Sequence, residues 1–158
     1  MNVRILALAF VSVLLVGCAQ NSHRAPVSTS PAPVTIQKIT DLSGTRWTLI
    51  ALEGEPIQPS STGWAAPGID FAANGQSVVG FSGVNRFGGR YTQDGAALEF
   101  GPLAMTRRAG PPDLMQTESR FTRILSGVTG WRQRGANLEL IAAHQVGAVL
   151  APVPVNKK

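Results

Sequence analysis

The sequence has little of what most enzymes use: of 158 residues, two are histidine, one is cysteine and one is tyrosine. A single cysteine cannot close an intramolecular disulfide. Two histidines and one thiol also leave too few ligands for a His/Cys zinc site, and almost nothing for a Cys–His nucleophile pair. Charge is sparse as well, with Asp, Glu, Lys and Arg at 15% and aromatic residues at 6%. Glycine (17), proline (11) and apolar residues (44%) are plentiful. This length and composition suit one globular domain with one core.

The chain opens on a short positive segment ending at Arg4, followed by apolar Ile5 to Val16 with Ser12 as the exception, and then Gly17-Cys18. The order of these regions, closing on Leu15-Val16-Gly17-Cys18, resembles a bacterial lipoprotein signal. The apolar run of about 14 residues falls short of the roughly 20 that a membrane-spanning helix needs. The resemblance implies that residues 1–17 are a signal peptide and that the Cys18 thiol takes a diacylglyceryl group. Cleavage before Cys18 and acylation of the new amine would follow. Several acyl chains, each contributing about 0.8 kcal/mol per buried methylene, would make release from the membrane very slow. Ala19 stands where an Asp would direct retention. By resemblance to the sorting rule of enteric bacteria, the expected location is the outer membrane, facing the periplasm.

Residues 18–40 are expected to be the lipidated cysteine and a disordered tether, rich in Ser, Thr, Pro, Asn and Gln as in Ser28-Thr29-Ser30-Pro31. As a flexible coil the tether would reach about 26 Å. His23 falls inside it, where a ligand or base has no framework. Residues 153–158, ending in Lys157-Lys158, read as a frayed tail. Loss of Arg4 with the signal leaves 13 basic and 9 acidic side chains, a net +4.

Between these ends, residues 41–152 read as one domain of short strands. Thr45 to Leu49 alternates polar and apolar before the more uniformly apolar Ile50-Ala51-Leu52. Ile69-Asp70-Phe71 alternates again, and Gln76 to Val84 is β-branched and glycine-rich. Asn74-Gly75 and Asp94-Gly95 are dipeptides that accept positive φ, so each predicts a hairpin. Gly130 to Arg134, Asn137 to Ile141 and Val146 to Leu150 predict three more strands in a meander, with Ala143-His144 in a turn.

One segment has a different period. Leu114, Thr117, Phe121, Ile124, Leu125 and Val128 fall near one helical face, after Pro111-Pro112 and a capping-box pairing of Asp113 with Gln116. A helix of about 13 residues is expected, ended by Gly127, with Arg120 and Arg123 facing water. It must cover the sheet or plug a barrel end. The fold class is therefore mainly β: a small antiparallel, barrel-like sheet with one packed α-helix.

Three blocks carry a family resemblance. Leu42-Ser43-Gly44-Thr45-Arg46-Trp47 resembles the Leu-x-Gly-Thr-x-Trp opening of the META domain, or HslJ-like, family of bacterial envelope proteins. Gly80-Phe81-Ser82-Gly83-Val84-Asn85-Arg86-Phe87-Gly88-Gly89-Arg90-Tyr91 is similar to its Gly-x-x-Gly-Cys-Asn-x-x-x-Gly-x-Tyr. Leu103-Ala104-Met105-Thr106, with Glu118 following, is similar to its Met-Ala-Met-Thr segment and helix. The blocks occur in family order over about 110 residues. The resemblance implies a role in envelope stress or drug tolerance for some relatives. Val84 and Gly110 stand where many relatives have cysteines. If those pair, this chain lacks the whole bridge, and apolar packing around Val84 is expected in its place.

The motif residues Gly44, Thr45, Trp47, Gly83, Asn85, Arg86, Gly89, Tyr91, Met105, Thr106 and Glu118 are expected to be structural. Asn85 tolerates left-handed backbone and can bond nearby backbone groups. Gly83, Gly88 and Gly89 fit a bulge or sharp bend better than a phosphate cradle, because no helix start with Lys-Ser/Thr follows them. Thr106 should bond backbone at a strand end, Glu118 should meet an arginine or cap a loop, and Tyr91 and Trp47 should pack. Trp47, Trp64 and Trp131 are alternatives for a pocket mouth.

Gly80-Phe81-Ser82-Gly83-Val84 approaches a serine-hydrolase elbow but has Val84 where its last glycine belongs, and His144 has no acid beyond it. Glu53 and Glu55 read as solvated loop carboxylates. No catalytic residue, metal site or cofactor is expected. Arginines cluster between Arg86 and Arg134, and in an exported protein their partner would be an anionic envelope component rather than nucleic acid. The expected function is a non-enzymatic binding or stress-tolerance module. The alternatives are an inhibitor of an envelope hydrolase such as lysozyme, which a basic domain would repel, and a lipocalin-like carrier with an apolar cavity. The oligomeric state stays open.

Overall fold

A computed structural model describes residues 38–58 and 63–154. The signal peptide, Cys18, His23, the tether up to residue 37 and the end of the tail lie outside the described residues. Among the described residues, ten strands and one helix follow in order: β1 (Arg46–Leu52), β2 (Glu55–Pro56), β3 (Gly68–Phe71), β4 (Ser77–Phe81), β5 (Arg86–Asp94), β6 (Ala97–Phe100), β7 (Ala104–Met105), α1 (Pro112–Ser126), β8 (Val128–Arg134), β9 (Asn137–Ala142) and β10 (Gln145–Pro152).

All pairings are antiparallel, and eight strands close on themselves in the order β1-β3-β4-β5-β6-β8-β9-β10. The closing pair joins the two ends of the domain, with Trp47 opposite Pro152 and Leu49 opposite Leu150. Closure removes the exposed edges that an open sheet would leave. β2 pairs with β1, and β7 adds to β5 beside the ring.

The turns form where small polar dipeptides permit them. Gly75 and Gly95 take φ of 68° and 55° in the β3–β4 and β5–β6 hairpins. Ala143 and His144 also have positive φ, 48° and 64°, making the two-residue β9–β10 turn. The apolar run Ile50-Ala51-Leu52 follows from a register shift against β10 between Leu49 and Ala51. The shift turns Ile50 outward and returns Leu52 to the core, so the run is not a strand buried on both faces.

The barrel interior is filled by side chains. Trp47, Leu52, Ile69, Leu98, Leu138 and Leu150 are among those almost wholly buried, and Phe71 packs edge-on against Tyr91 with centroids 4.9 Å apart. Helix α1 lays Phe121, Ile124 and Leu125 onto this core, and Phe121 meets Phe87 edge-on at 6.3 Å. Burying each such side chain contributes about 1.5–3 kcal/mol. The expected capping box does not form: Pro112 opens the helix, Asp113 sits one residue inside it, and the N-cap position, Pro111, offers no side-chain cap. Gly127 ends the helix as expected, its N–H reaching the carbonyls of Ile124 and Leu125.

Both expected disordered boundaries shift outward. Ile39 packs against the core, and its N–H donates to Gln133 Oε1 (2.7 Å). Gln93 Nε2 donates to the Thr40 carbonyl (2.9 Å), and Leu42 N–H donates to Gln93 Oε1 (3.0 Å). These glutamine amides stand in for strand partners, so residues 38–40 belong to the folded body rather than to the tether. At the other end, Val153 N–H donates to the Arg46 carbonyl (2.9 Å), which extends the order one residue past β10.

Candidate functional site

Gly83, Asn85, Arg86, Thr106 and Glu118 of the motif residues converge, with Ser82, on one buried polar cluster between the β4–β5 turn, the segment after β7 and helix α1. Gly83 makes the turn possible: its φ is +133°, and a Cβ there would lie 3.0 Å from the Leu114 carbonyl oxygen. The turn aims the N–H groups of Val84 and Asn85 inward, where both donate to Glu118 Oε2 (3.1 and 2.7 Å). Ser82 Oγ donates to the same oxygen (2.7 Å), and Asn85 Nδ2 donates to Glu118 Oε1 (2.7 Å). The backbone concavity that could have cradled an external anion is thus occupied by the protein's own carboxylate.

Burial pushes the Glu118 carboxyl up. The bonds from the Ser82 hydroxyl, the Asn85 amide and the Asn85 and Val84 N–H groups outweigh that burial and hold it below the ordinary carboxylate range. Glu118 is accordingly an anion at neutral pH, with Oε2 accepting three bonds and Oε1 one. Of the two expected roles, it caps the loop; no arginine pairs with it among the described residues. Ser82, at 0% exposure, is a buried donor and not an exposed nucleophile.

Asn85 is saturated. Its Oδ1 accepts from Thr106 Oγ1 (2.8 Å) and Arg108 N–H (2.7 Å), while Nδ2 donates to the Arg108 carbonyl (3.1 Å) as well as to Glu118. Both donors and both acceptor positions of the amide are used. Arg86 N–H donates to Thr106 Oγ1 (3.1 Å), and Thr106 N–H returns a bond to the Arg86 carbonyl (3.0 Å). The cluster therefore clamps the backbone of Arg86 to that of Thr106 and Arg108.

The other motif residues serve the core. Thr45 Oγ1 donates to the Leu42 carbonyl (2.5 Å) and accepts from Trp47 Nε1 (2.7 Å), closing the turn at Gly44. Met105 pairs with Phe87, and Gly89 leaves room for the Leu103 side chain and the Pro102 carbonyl. Tyr91 is buried, and its hydroxyl has no hydrogen-bond partner among the described residues. Val84 is 1% exposed and its methyl groups fill the space beside Gly110, the apolar packing expected around Val84.

A model of the META domain matches residues 40–152. The chain belongs to the META domain family. Two solved structures share its fold. One is an NMR structure of a protein from Burkholderia xenovorans, 28% identical, with a TM-score of 0.56 over 71% of this chain and 83% of that one. The other, also an NMR structure, is 24% identical, with a TM-score of 0.55 over 69% of this chain and 89% of that one. No curated protein matches the chain.

On the surface of this META domain the charges are arranged unevenly. The residues from 38 to 154 hold ten basic and nine acidic side chains, so four of the five excess positive charges of the whole chain come from Arg4, Arg24, Lys157 and Lys158. The folded body is close to neutral, and the repulsion expected toward a basic hydrolase loses its footing. Arg120 and Arg123, expected to face water alone, pair with Glu53 (3.1 and 3.0 Å), and Arg120 also reaches Glu55 (2.7 Å). Glu53 and Glu55 are therefore ion-pair partners rather than free loop carboxylates. Arg46 pairs with Asp70 (2.9 Å), and Arg132 and Arg134 face Glu139 (2.5 and 3.9 Å).

Three clefts involve the tryptophans. The first, about 600 Å³, is lined by Lys38, Ile39, Gly95, Trp131 and Gln133, among others. The second, about 390 Å³, lies between Trp64, Phe81, Arg86, Thr106 and Arg108. A third, about 450 Å³, touches Trp47, itself almost wholly buried. The second cleft places Trp64 at a pocket wall, the alternative its sequence allowed, and brings to it two of the clustered arginines; their meeting left no sequence signal, because the walls come from three segments up to 45 residues apart.

Proposed function

We propose that this chain is a lipid-anchored envelope protein, acylated on Cys18 and held at the outer membrane facing the periplasm. Its META barrel would act as a non-enzymatic binding or stress-tolerance module. The anchoring rests on the signal-like residues 1–18, and the observation that carries the non-enzymatic part is the saturation of the motif cluster. Asn85, Thr106, Ser82 and Glu118 spend their polar atoms on one another and on backbone, leaving none of them poised for proton transfer or attack. The filled interior supports binding on the outer surface rather than inside the barrel.

The test is intact-mass analysis of the protein made in its own cell, together with native mass spectrometry of what it retains. A mature chain beginning at an acylated Cys18 and carrying a bound molecule is the expected result. An uncut leader or a bare thiol overturns the anchoring. Turnover of a retained molecule overturns the non-enzymatic reading.

A second reading, inhibition of an envelope hydrolase such as lysozyme, is favoured by one finding: the near-neutral body does not repel a basic enzyme. A pull-down with purified lysozyme separates the two, since tight capture supports the inhibitor.

A further inference from the structure

Of the ten basic side chains in the described residues, Lys38, Arg86, Arg90, Arg107 and Arg108 have no ion-pair partner among those residues, and three of the five sit together. Arg86 and Arg108 line the same cleft of about 390 Å³, and Arg107 borders the adjoining one. No carboxylate lines the first cleft, and Glu118, the one carboxylate in the second, is committed to its internal bonds. Since the body as a whole is nearly neutral, this positive face is a local arrangement rather than a by-product of net charge.

The backbone under it is rigid. The Asn85–Thr106 bonds fix Arg86 and Arg108 side by side, so the folded protein bears the repulsion between like charges before any ligand arrives. The Arg108 guanidinium lies over the Trp64 ring, 5.7 Å from its centroid. This cation–π contact holds the guanidinium at the ring, Arg108 has no ion-pair partner among the described residues, and Arg86 brings a second fork to the same cleft. Two guanidinium forks beside an aromatic wall match a tetrahedral anion attached to an organic body.

We propose that the cleft of Arg86, Arg108 and Trp64 binds the phosphate group of a phosphate ester, with Arg107 adding to the field. This deepens the binding-module reading and rests on it. For a protein tethered within a few tens of ångströms of a bilayer, the source of that phosphate is a lipid headgroup.

The test uses the full lipidated chain in phosphatidylcholine vesicles, with and without phosphatidylglycerol, and reads the emission change that is lost in Trp64→Phe. A saturable change with phosphatidylglycerol is expected, with half-saturation raised about tenfold or more in Arg86→Gln/Arg108→Gln. Arg120→Gln/Arg123→Gln, which removes the same charge elsewhere, should respond as wild type does. Inorganic phosphate forms a second arm. A Trp64 response to it alone supports the phosphate chemistry and assigns a soluble source. No response in either arm overturns the proposal, as does an equal response to dextran sulfate or an equal loss in both double variants. If the double glutamine variant does not fold, Arg86→Lys/Arg108→Lys replaces it, and unchanged half-saturation there overturns the guanidinium-fork argument. Intact mass of the same sample reports Cys18 acylation separately, so failure of the anchor and failure of the cleft are distinguishable.

Discussion

Introducing a bridge between positions 84 and 110 gives the sharpest test of how this barrel holds its helix connection. A Cβ placed on Gly110 would lie 3.3 Å from Val84 Cβ and 2.5 Å from Val84 Cγ2. The first distance is about half an ångström short of the mean separation across disulfides, about 3.8 Å, and just under their usual range of about 3.5–4.5 Å, so a small backbone shift would seat the bridge. Val84→Cys/Gly110→Cys should therefore oxidise in the folded state. Its loop of about 27 residues would remove roughly 3.5 kcal/mol of unfolded-chain entropy, and we expect about 2–3 kcal/mol to remain after local strain. Urea unfolding followed by tryptophan fluorescence, with and without reductant, measures the difference. The second distance makes the converse prediction. Gly110→Ala alone should destabilise by about 1–3 kcal/mol through overpacking. Val84→Ala/Gly110→Ala should recover part of that, giving a coupling of about 1 kcal/mol or more. Thiols that stay open to alkylation in the folded protein, or additive single-variant costs, would refute the contact.

Glu118→Gln should cost about 2–4 kcal/mol at neutral pH, because the Asn85 Nδ2 donor then meets an NH₂ group and the charge assistance is lost. The folded carboxyl titrates below its ordinary value of 4.5, so its stabilisation is present above that pH and is lost as pH falls through the folded value. The gap between wild type and Glu118→Gln, read from urea midpoints, should narrow as pH falls below 4.5, and a flat gap contradicts the role of charge. Tyr91→Phe removes a buried hydroxyl with no partner among the described residues. We expect unchanged stability or a gain of up to about 1 kcal/mol, seen as a melting temperature about 4 °C higher, whereas a clear loss would reveal a bond to that hydroxyl. Gly83→Ala, at φ +133° and close to the Leu114 carbonyl, should cost about 1–3 kcal/mol in the same assay, and a neutral effect would contradict the turn geometry.

The parts of the fold that local chemistry decides were legible residue by residue. Asn74-Gly75 and Asp94-Gly95 mark hairpins because their glycines tolerate positive φ at no steric cost, and both hairpins form. Phe121, Ile124 and Leu125 recur at helical spacing and are buried on α1. The helix starts earlier than the capping-box pattern predicts: Asp113 followed three residues later by Gln116 fits the pattern, but Pro112, lacking an N–H, takes the first helical position. Glu118 as a loop cap was half legible. Its type suggested an interaction, but its partners Ser82, Val84 and Asn85 are 33 to 36 residues away and leave no periodic trace.

By itself, then, the order of residues determined strand character, two hairpins, the helix and the family blocks, because φ preferences and hydrophobic spacing act over a few residues. Only the tertiary structure decided that β1 closes on β10, that Arg120 and Arg123 are neutralised by Glu53, and that Arg86 and Arg108 share a cleft with Trp64. Those outcomes depend on how the barrel curves in space, and curvature brings together side chains whose separation along the chain carries no information about their meeting.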